Sequence, residues 1–231
     1  MQSASSLPYQ SSLPLVSPIQ AIIFDLDNCL VAGDAIGRAK YQPAFDAIRR
    51  ANDAAGAAAL SEVQLAGAFA AMWRHPFEDV AREHRFTPAM RSAGWQEFAT
   101  LEVRAPFVPY ADFALLAEFT WPRFLVTTGF RRLQQSKVEI LKLRELFTEI
   151  RIDVVDEPGR KGKQQLFHEI QQAHGFQPHQ MLVVGDSAES EIRAGNNLGM
   201  RTVQMLRPGV CYGANAAHHV HGLRELRDLL G

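Results

Sequence analysis

The chain has 231 residues, 47% hydrophobic and 21% charged, enough for one large core with a modest appendage, and this excludes a disordered, collagen-like or coiled-coil chain. Its 24 Lys and Arg against 25 Asp and Glu leave a net charge of −1, so nothing in the bulk charge draws it to nucleic acid or to an anionic membrane. No apolar run approaches the roughly 20 residues of a membrane span, and two cysteines, Cys29 and Cys211, exclude a disulfide framework or a four-cysteine zinc site.

Residues 1–18 are rich in Ser, Pro and Gln and lack the basic start and long apolar stretch of a secretory signal. They read as a flexible leader, and a cytoplasmic setting is the expectation. Gln20 to Phe24 is a short apolar run that predicts a buried strand. No convincing strand follows between Leu30 and Arg104. Ala35 to Gly56, Ser61 to Trp73, Pro76 to His84 and Pro88 to Val103 read as helices, punctuated by Pro76, Pro88 and Gly94. Four more strands are expected at Phe124 to Val126, Ile150 to Val155, Met181 to Val184 and Thr202 to Gln204. Helices are expected at Arg131 to Phe147, Lys163 to His174, Ala188 to Leu198 and Leu223 to Leu230. Continuous apolar strands separated by helices imply a parallel sheet covered on both faces, a doubly wound, Rossmann-like α/β core. The predicted organisation is a core of residues 19–31 and 105–231, with residues 32–104 inserted as a small all-helical domain; the plainer alternative has those helices packing on the sheet.

The polar residues that carry chemistry cluster where these strands end. Asp25 and Asp27 follow the first strand two residues apart, so in an extended chain both point to one side, where two carboxylates repel unless a cation or proton lies between them. Thr127, Thr128 and Gly129 end the second strand with hydroxyls and backbone N–H groups suited to phosphate oxygens, although Thr-Gly is also a common way to leave a strand. Lys161 precedes a helix after a polar loop, with Lys163 equally eligible by charge. Asp186 ends the strand Val183-Val184-Gly185, followed by Glu189 and Glu191, which are either ligands or ordinary acids of a helix's first turn. Hard oxygen donors at strand ends suit Mg²⁺. His218, His219 and His221 read as loop histidines rather than a metal site.

In this order the four segments resemble the haloacid dehalogenase-like (HAD) hydrolase superfamily. Asp25-Leu-Asp27-Asn-Cys-Leu is similar to its first motif and Val126-Thr127-Thr128-Gly129 to its second. The third matches Lys161-Gly-Lys163-Gln-Gln-Leu-Phe167, where the spacing to Phe167 selects Lys161, and the fourth matches Gly185-Asp186 through Glu191. Gln135-Ser136-Lys137 with Leu141, Leu143 and Phe147 resembles the helix after the second motif. Cys29 stands where Thr or Val is common and is expected to be packed; Glu191 stands where Asp is usual. The resemblance implies that residues 32–104 form the family's helical cap. The second acid, Asp27, points to a phosphatase-type member rather than a dehalogenase.

The mechanism implied has Asp25 as nucleophile forming an aspartyl-phosphate, and Asp27 as general acid and base with its side chain free of both metal and lysine. Thr127 and Lys161 stabilise the transferring phosphoryl group. Asp25, Asp186 and the Asp27 carbonyl would hold Mg²⁺, with Glu191 binding it directly or through water. Thr128 and Gly129 would add phosphate contacts. The expected partner is a small phosphorylated metabolite, with no nucleic acid and no membrane. The alternatives are a phosphomutase of the same superfamily and a catalytically weak binding or scaffold protein.

Overall fold

The computed structural model describes residues 18–231, so the leader expected over residues 1–18 falls, apart from its last residue, outside the described residues. Six strands form one parallel sheet in the order β3-β2-β1-β4-β5-β6: β1 (Ala21–Phe24), β2 (Arg123–Gly129), β3 (Glu149–Val154), β4 (Met181–Gly185), β5 (Arg201–Met205) and β6 (His218–Val220). The chain winds outward from β1 in one direction through β2 and β3 and in the other through β4 to β6. Its reversal point lies between β1 and its neighbour β4, at whose carboxyl ends open α/β sheets hold ligands.

The alternation of the pleat explains why β1 is apolar throughout. Ile22 and Phe24 face one core with Leu125, Val138, Leu182, Val184, Leu223 and Leu226. Ala21 and Ile23 face the other with Phe124, Val126, Leu166, Phe167, Ile170 and Ala194. Helices α5 (Arg131–Ile140) and α8 (Leu223–Leu230) supply the first layer, and α6 (Gly162–His174) and α7 (Arg193–Asn197) the second. The doubly wound α/β reading therefore holds.

Between β1 and β2 lie four helices: α1 (Gln42–Asp53), α2 (Glu62–Ala71), α3 (Phe77–Glu83) and α4 (Pro88–Thr100). Their starts are written in local chemistry. Ser61 and Gln64 form a reciprocal capping box on α2, and the Thr87 hydroxyl accepts from Met90 N ahead of Pro88 at the start of α4. Ile48, Leu65, Val80, Met90 and Phe98 share a core of their own, joined by Phe130, Leu133 and Val155 from the sheet side. The insert is thus packed against the start of α5 and overhangs the ends of the strands that carry the polar residues.

Two expectations need correction. The helix expected to run from Arg131 to Phe147 ends at Ile140, because Lys142 turns left-handed at φ 52° and only a short 3-10 turn, Leu143–Glu145, follows. The histidine segment read as loop is in part the edge strand β6. There His219 stacks on Tyr212 rather than joining His218 and His221 in a cluster.

Candidate active site

β1 delivers Asp25 directly to the carboxyl end of the sheet: Asp25 N donates to Val184 O at 2.9 Å, keeping the chain in register with β4 for one more residue, and the residue is only 6% exposed. β4 delivers Asp186 from the neighbouring position. The chain then closes a π-turn, with Ile192 N donating to Ser187 O at 3.2 Å. This turn folds Glu191 back beneath the site, where its Oε2 accepts from Ser187 N at 3.0 Å. Gly185 permits the approach, since a Cβ there would lie 2.6 to 2.9 Å from the Glu191 side chain.

The cation comes from α6. Lys163, Leu166, Phe167 and Ile170 are its buried residues, spaced i, i+3, i+4 and i+7, so the lysine occupies the same face that packs on the sheet. Its Nζ donates to Asp25 Oδ1 at 2.6 Å and also to Glu191 Oε1. Oxygen atoms of Asp25, Asp186 and Glu191 all lie within 4.8 Å of one another.

Burial pushes the Asp25 carboxyl up to about 7 from its ordinary 3.8; Lys163 counteracts part of this and the charge of Glu191 adds to it. Asp186 is raised well above its ordinary value by burial, then by Glu191 and Asp25. For Lys163 burial opposes the charge, but Asp25 and Glu191 outweigh it and hold the ammonium above its usual value. Three carboxylates beside one lysine, which pairs with Asp25 and Glu191 only, are an anionic excess in a buried place. Oxygen donors at this spacing fit a hard divalent cation, which removes that excess.

Lys161, expected to be the cation of the site, is not there. It is half exposed and pairs at the surface with Glu169 at 2.8 Å, and it is Lys163 that meets Asp25. Residue spacing to Phe167 points to Lys161, whereas the helical stripe back from Ile170 and Phe167 lands on Lys163, the lysine that meets Asp25.

Asp27 is likewise not free of lysine. Lys137 of α5, a buried side chain, donates to both its oxygens at 2.7 and 2.8 Å, and Gln134 Nε2 adds a third bond at 3.0 Å. The chain at Asp27 is not extended as assumed. It turns through Asn28 at φ 56° and bridges back to Val31, so Asp25 and Asp27 meet different helices.

Thr127 is buried and lines the cleft beside Asp25. Thr128 lines the cleft, and its hydroxyl donates to Asp153 Oδ2 at 3.1 Å. Gly129 lines the cleft, where it leaves room for the Gln134 side chain. Asp153, absent from the sequence reading, also accepts from Arg160 and from Gly162 N, and so fixes the loop that presents Lys163. Cys29 is packed as expected, its thiol directed at Val184 O and pushed up first by burial.

The acids open into a cleft of about 770 Å³ between the sheet and the insert. Tyr41, Trp73, Arg74 and His75 line it from the insert, and Asp25, Asp27, Thr127, Lys163, Asp186 and Glu191 from the sheet. Among the described residues, no helix is long and apolar enough to cross a membrane.

Comparison with known proteins matches residues 19–199 to the family described as haloacid dehalogenase-like hydrolase. No curated protein matches the chain. Among solved structures the chain is similar to YfnB of Bacillus subtilis in a magnesium-bound form, with 16% identity over 93% of this chain and 100% of that one and a TM-score of 0.61. It is similar to a HAD phosphatase from Thermococcus onnurineus, with 19% identity over 92% and 98% of the two chains and a TM-score of 0.61. A 2-haloacid dehalogenase from Pseudomonas syringae pv. Tomato DC3000 is also similar, at 19% identity, 92% and 98% coverage and a TM-score of 0.56. These structural likenesses carry the fold, while the family match spans most of the chain and takes in both strands that end in the clustered acids. The chain belongs to the haloacid dehalogenase-like hydrolase family.

Proposed function

We propose that the protein is a Mg²⁺-dependent phosphatase that hydrolyses a small phosphate monoester through an aspartyl-phosphate on Asp25. The observation that carries this reading is the gathering of Asp25, Asp186 and Glu191 within 4.8 Å of one another, with one buried lysine paired to Asp25 and Glu191, in a cleft that Asp27 also lines. Asp25 and Asp186, with the Asp27 carbonyl, would hold Mg²⁺, and Glu191, already engaged by Lys163 and Ser187 N, would sit behind them. When bound, Mg²⁺ supplies neutralising charge to the attacking carboxylate and to a phosphate oxygen.

The protein's own groups do the rest. Two unit charges 4 Å apart at an effective dielectric of 20 repel by about 4 kcal/mol, so an anionic nucleophile needs help to approach a phosphate. Lys163 takes Asp25 Oδ1 and leaves the second oxygen outside that ion pair. Asp25 forms the new bond to phosphorus as the bond to the leaving oxygen breaks. Thr127, at the end of β2, faces the transferring group and offers it a hydrogen bond. Asp27 passes a proton to the leaving oxygen, then accepts one from the water that cleaves the aspartyl-phosphate. The insert acts as the cap: its Trp73, Arg74 and His75 meet whatever the leaving group carries, and a cap closing over the cleft would exclude bulk water. The substrate is expected in the cytoplasm.

A panel of phosphorylated metabolites assayed for inorganic phosphate with Mg²⁺ and with EDTA tests the reading. Release with Mg²⁺, lost in EDTA and in Asp25→Asn, supports it. Phosphoryl transfer to a sugar hydroxyl without phosphate release would make the protein a mutase. Halide release from 2-haloacids with no phosphatase activity would make it a dehalogenase.

A further inference from the structure

The proposed chemistry gives Asp27 a proton to move but does not explain why two further side chains are committed to it. Lys137 Nζ lies 2.7 and 2.8 Å from the two Asp27 oxygens, and the lysine side chain is 3% exposed against 24% for the acid. Both groups line the cleft, and the carboxylate is the more open of the two.

Gln134, one turn earlier on α5, donates through Nε2 to Asp27 Oδ2 and to Thr128 O, both at 3.0 Å. Its Oε1 is buried and has no hydrogen-bond partner among the described residues. Leaving a buried acceptor unsatisfied costs roughly 1–3 kcal/mol. Turning the amide over would instead set Oε1 against a carboxylate and a carbonyl, so the demands of Asp27 and Thr128 fix its orientation. Gly129 provides the space, since a Cβ there would fall 2.6 Å from Gln134 Nε2 and 2.9 Å from its Cγ.

We infer that Lys137 and Gln134 form a clamp that positions the Asp27 carboxylate for proton exchange with the leaving oxygen, so that they are positioning residues of the reaction rather than a structural ion pair. The inference rests on the phosphatase reading above. Both residues donate to Asp27, and each acts through it. Residues spaced i and i+3 lie on one helical face, so α5 presents both groups to one carboxylate from a single rigid element.

The test compares Lys137→Met, Lys137→Arg and Gln134→Met with wild type on two substrates, an alkyl phosphate whose leaving oxygen needs a proton and p-nitrophenyl phosphate whose leaving group does not. In Lys137→Met, kcat on the alkyl phosphate is expected to fall by about 100-fold and on p-nitrophenyl phosphate by less than about fivefold, with KM changed little on either. Lys137→Arg should recover most of the difference, and Gln134→Met should show the same split at about tenfold against twofold. Equal losses on both substrates, or no loss, would overturn the clamp. If Lys137→Met lacks the native circular dichroism spectrum, the split in Gln134→Met decides the question in the same way. No phosphate release by wild type from either substrate would instead sink the phosphatase reading, and the clamp's role with it.

Discussion

Two carboxylates two residues apart, Asp25 and Asp27, each meet a buried lysine, yet their surroundings are opposite in character. Lys163 reaches Asp25 from α6 on one side of the sheet, and must serve Glu191 as well, with Asp186 close by. Lys137 reaches Asp27 from α5 on the other side and serves no second acid, with Gln134 adding a neutral donor. The first group has an excess of negative charge and the second is balanced. Charge accounting thus separates a place built to receive a cation from a place built to hold one carboxylate still. Burial of both lysines makes the distinction matter, because unpaired charge costs far more there than at the surface.

The sharpest way to break this comparison is at Asp25. Asp25→Asn should lower turnover by about 10⁴-fold or more while the circular dichroism spectrum stays native. Retained activity would remove the nucleophile from the account.

Next in size is the contrast between lysines. Lys163→Met should cost about 10²–10³-fold in kcat/KM, since it strips an aimed cation from a water-poor site. Lys161→Met breaks only a surface pair with Glu169 and should leave activity within about twofold. Similar losses from both would contradict the assignment of Lys163.

A third test reads the anionic excess through stability. The Asp25 carboxyl titrates at about 7 when folded against an ordinary 3.8, so between those values the folded protein holds a proton that the unfolded chain has lost. Stability from this group is complete below about pH 4 and declines as pH rises towards 7. In EDTA, wild type should therefore lose ground to Asp25→Asn across that interval by on the order of a few kcal/mol, and saturating Mg²⁺ should restore wild type. Denaturant curves that stay parallel for the two proteins from pH 4 to 7 would count against the excess. The smallest effect is expected from Gly185→Ala, where the new methyl presses on Glu191 and should cost about 1–3 kcal/mol.

The sequence revealed some parts of this arrangement and hid others for physical reasons. β1, β2 and β4 are buried on both faces, so they are written as short apolar runs, and each ends in the polar residues of the site; Asp25, Thr127 and Asp186 were legible for that reason. β6 is a three-residue edge strand containing two histidines, which leaves no apolar run to find. The insert's helices were legible where Ser61, Pro76 and Pro88 mark their starts. Lys163 carries a usable signal, its place on the apolar stripe of α6, which competes with the motif spacing that favours Lys161. The Lys137 and Gln134 clamp was hidden more deeply, because 107 and 110 residues separate them from Asp27 and only the fold brings them together.

Calorimetric titration of Mg²⁺ into chelator-treated protein tests the central claim most directly. One ion per chain should bind, and Asp186→Asn should weaken that binding by at least about tenfold, because it removes a charged oxygen ligand from the cluster. Absence of binding by the wild type, or undiminished binding by Asp186→Asn, would contradict a cation site built from these acids.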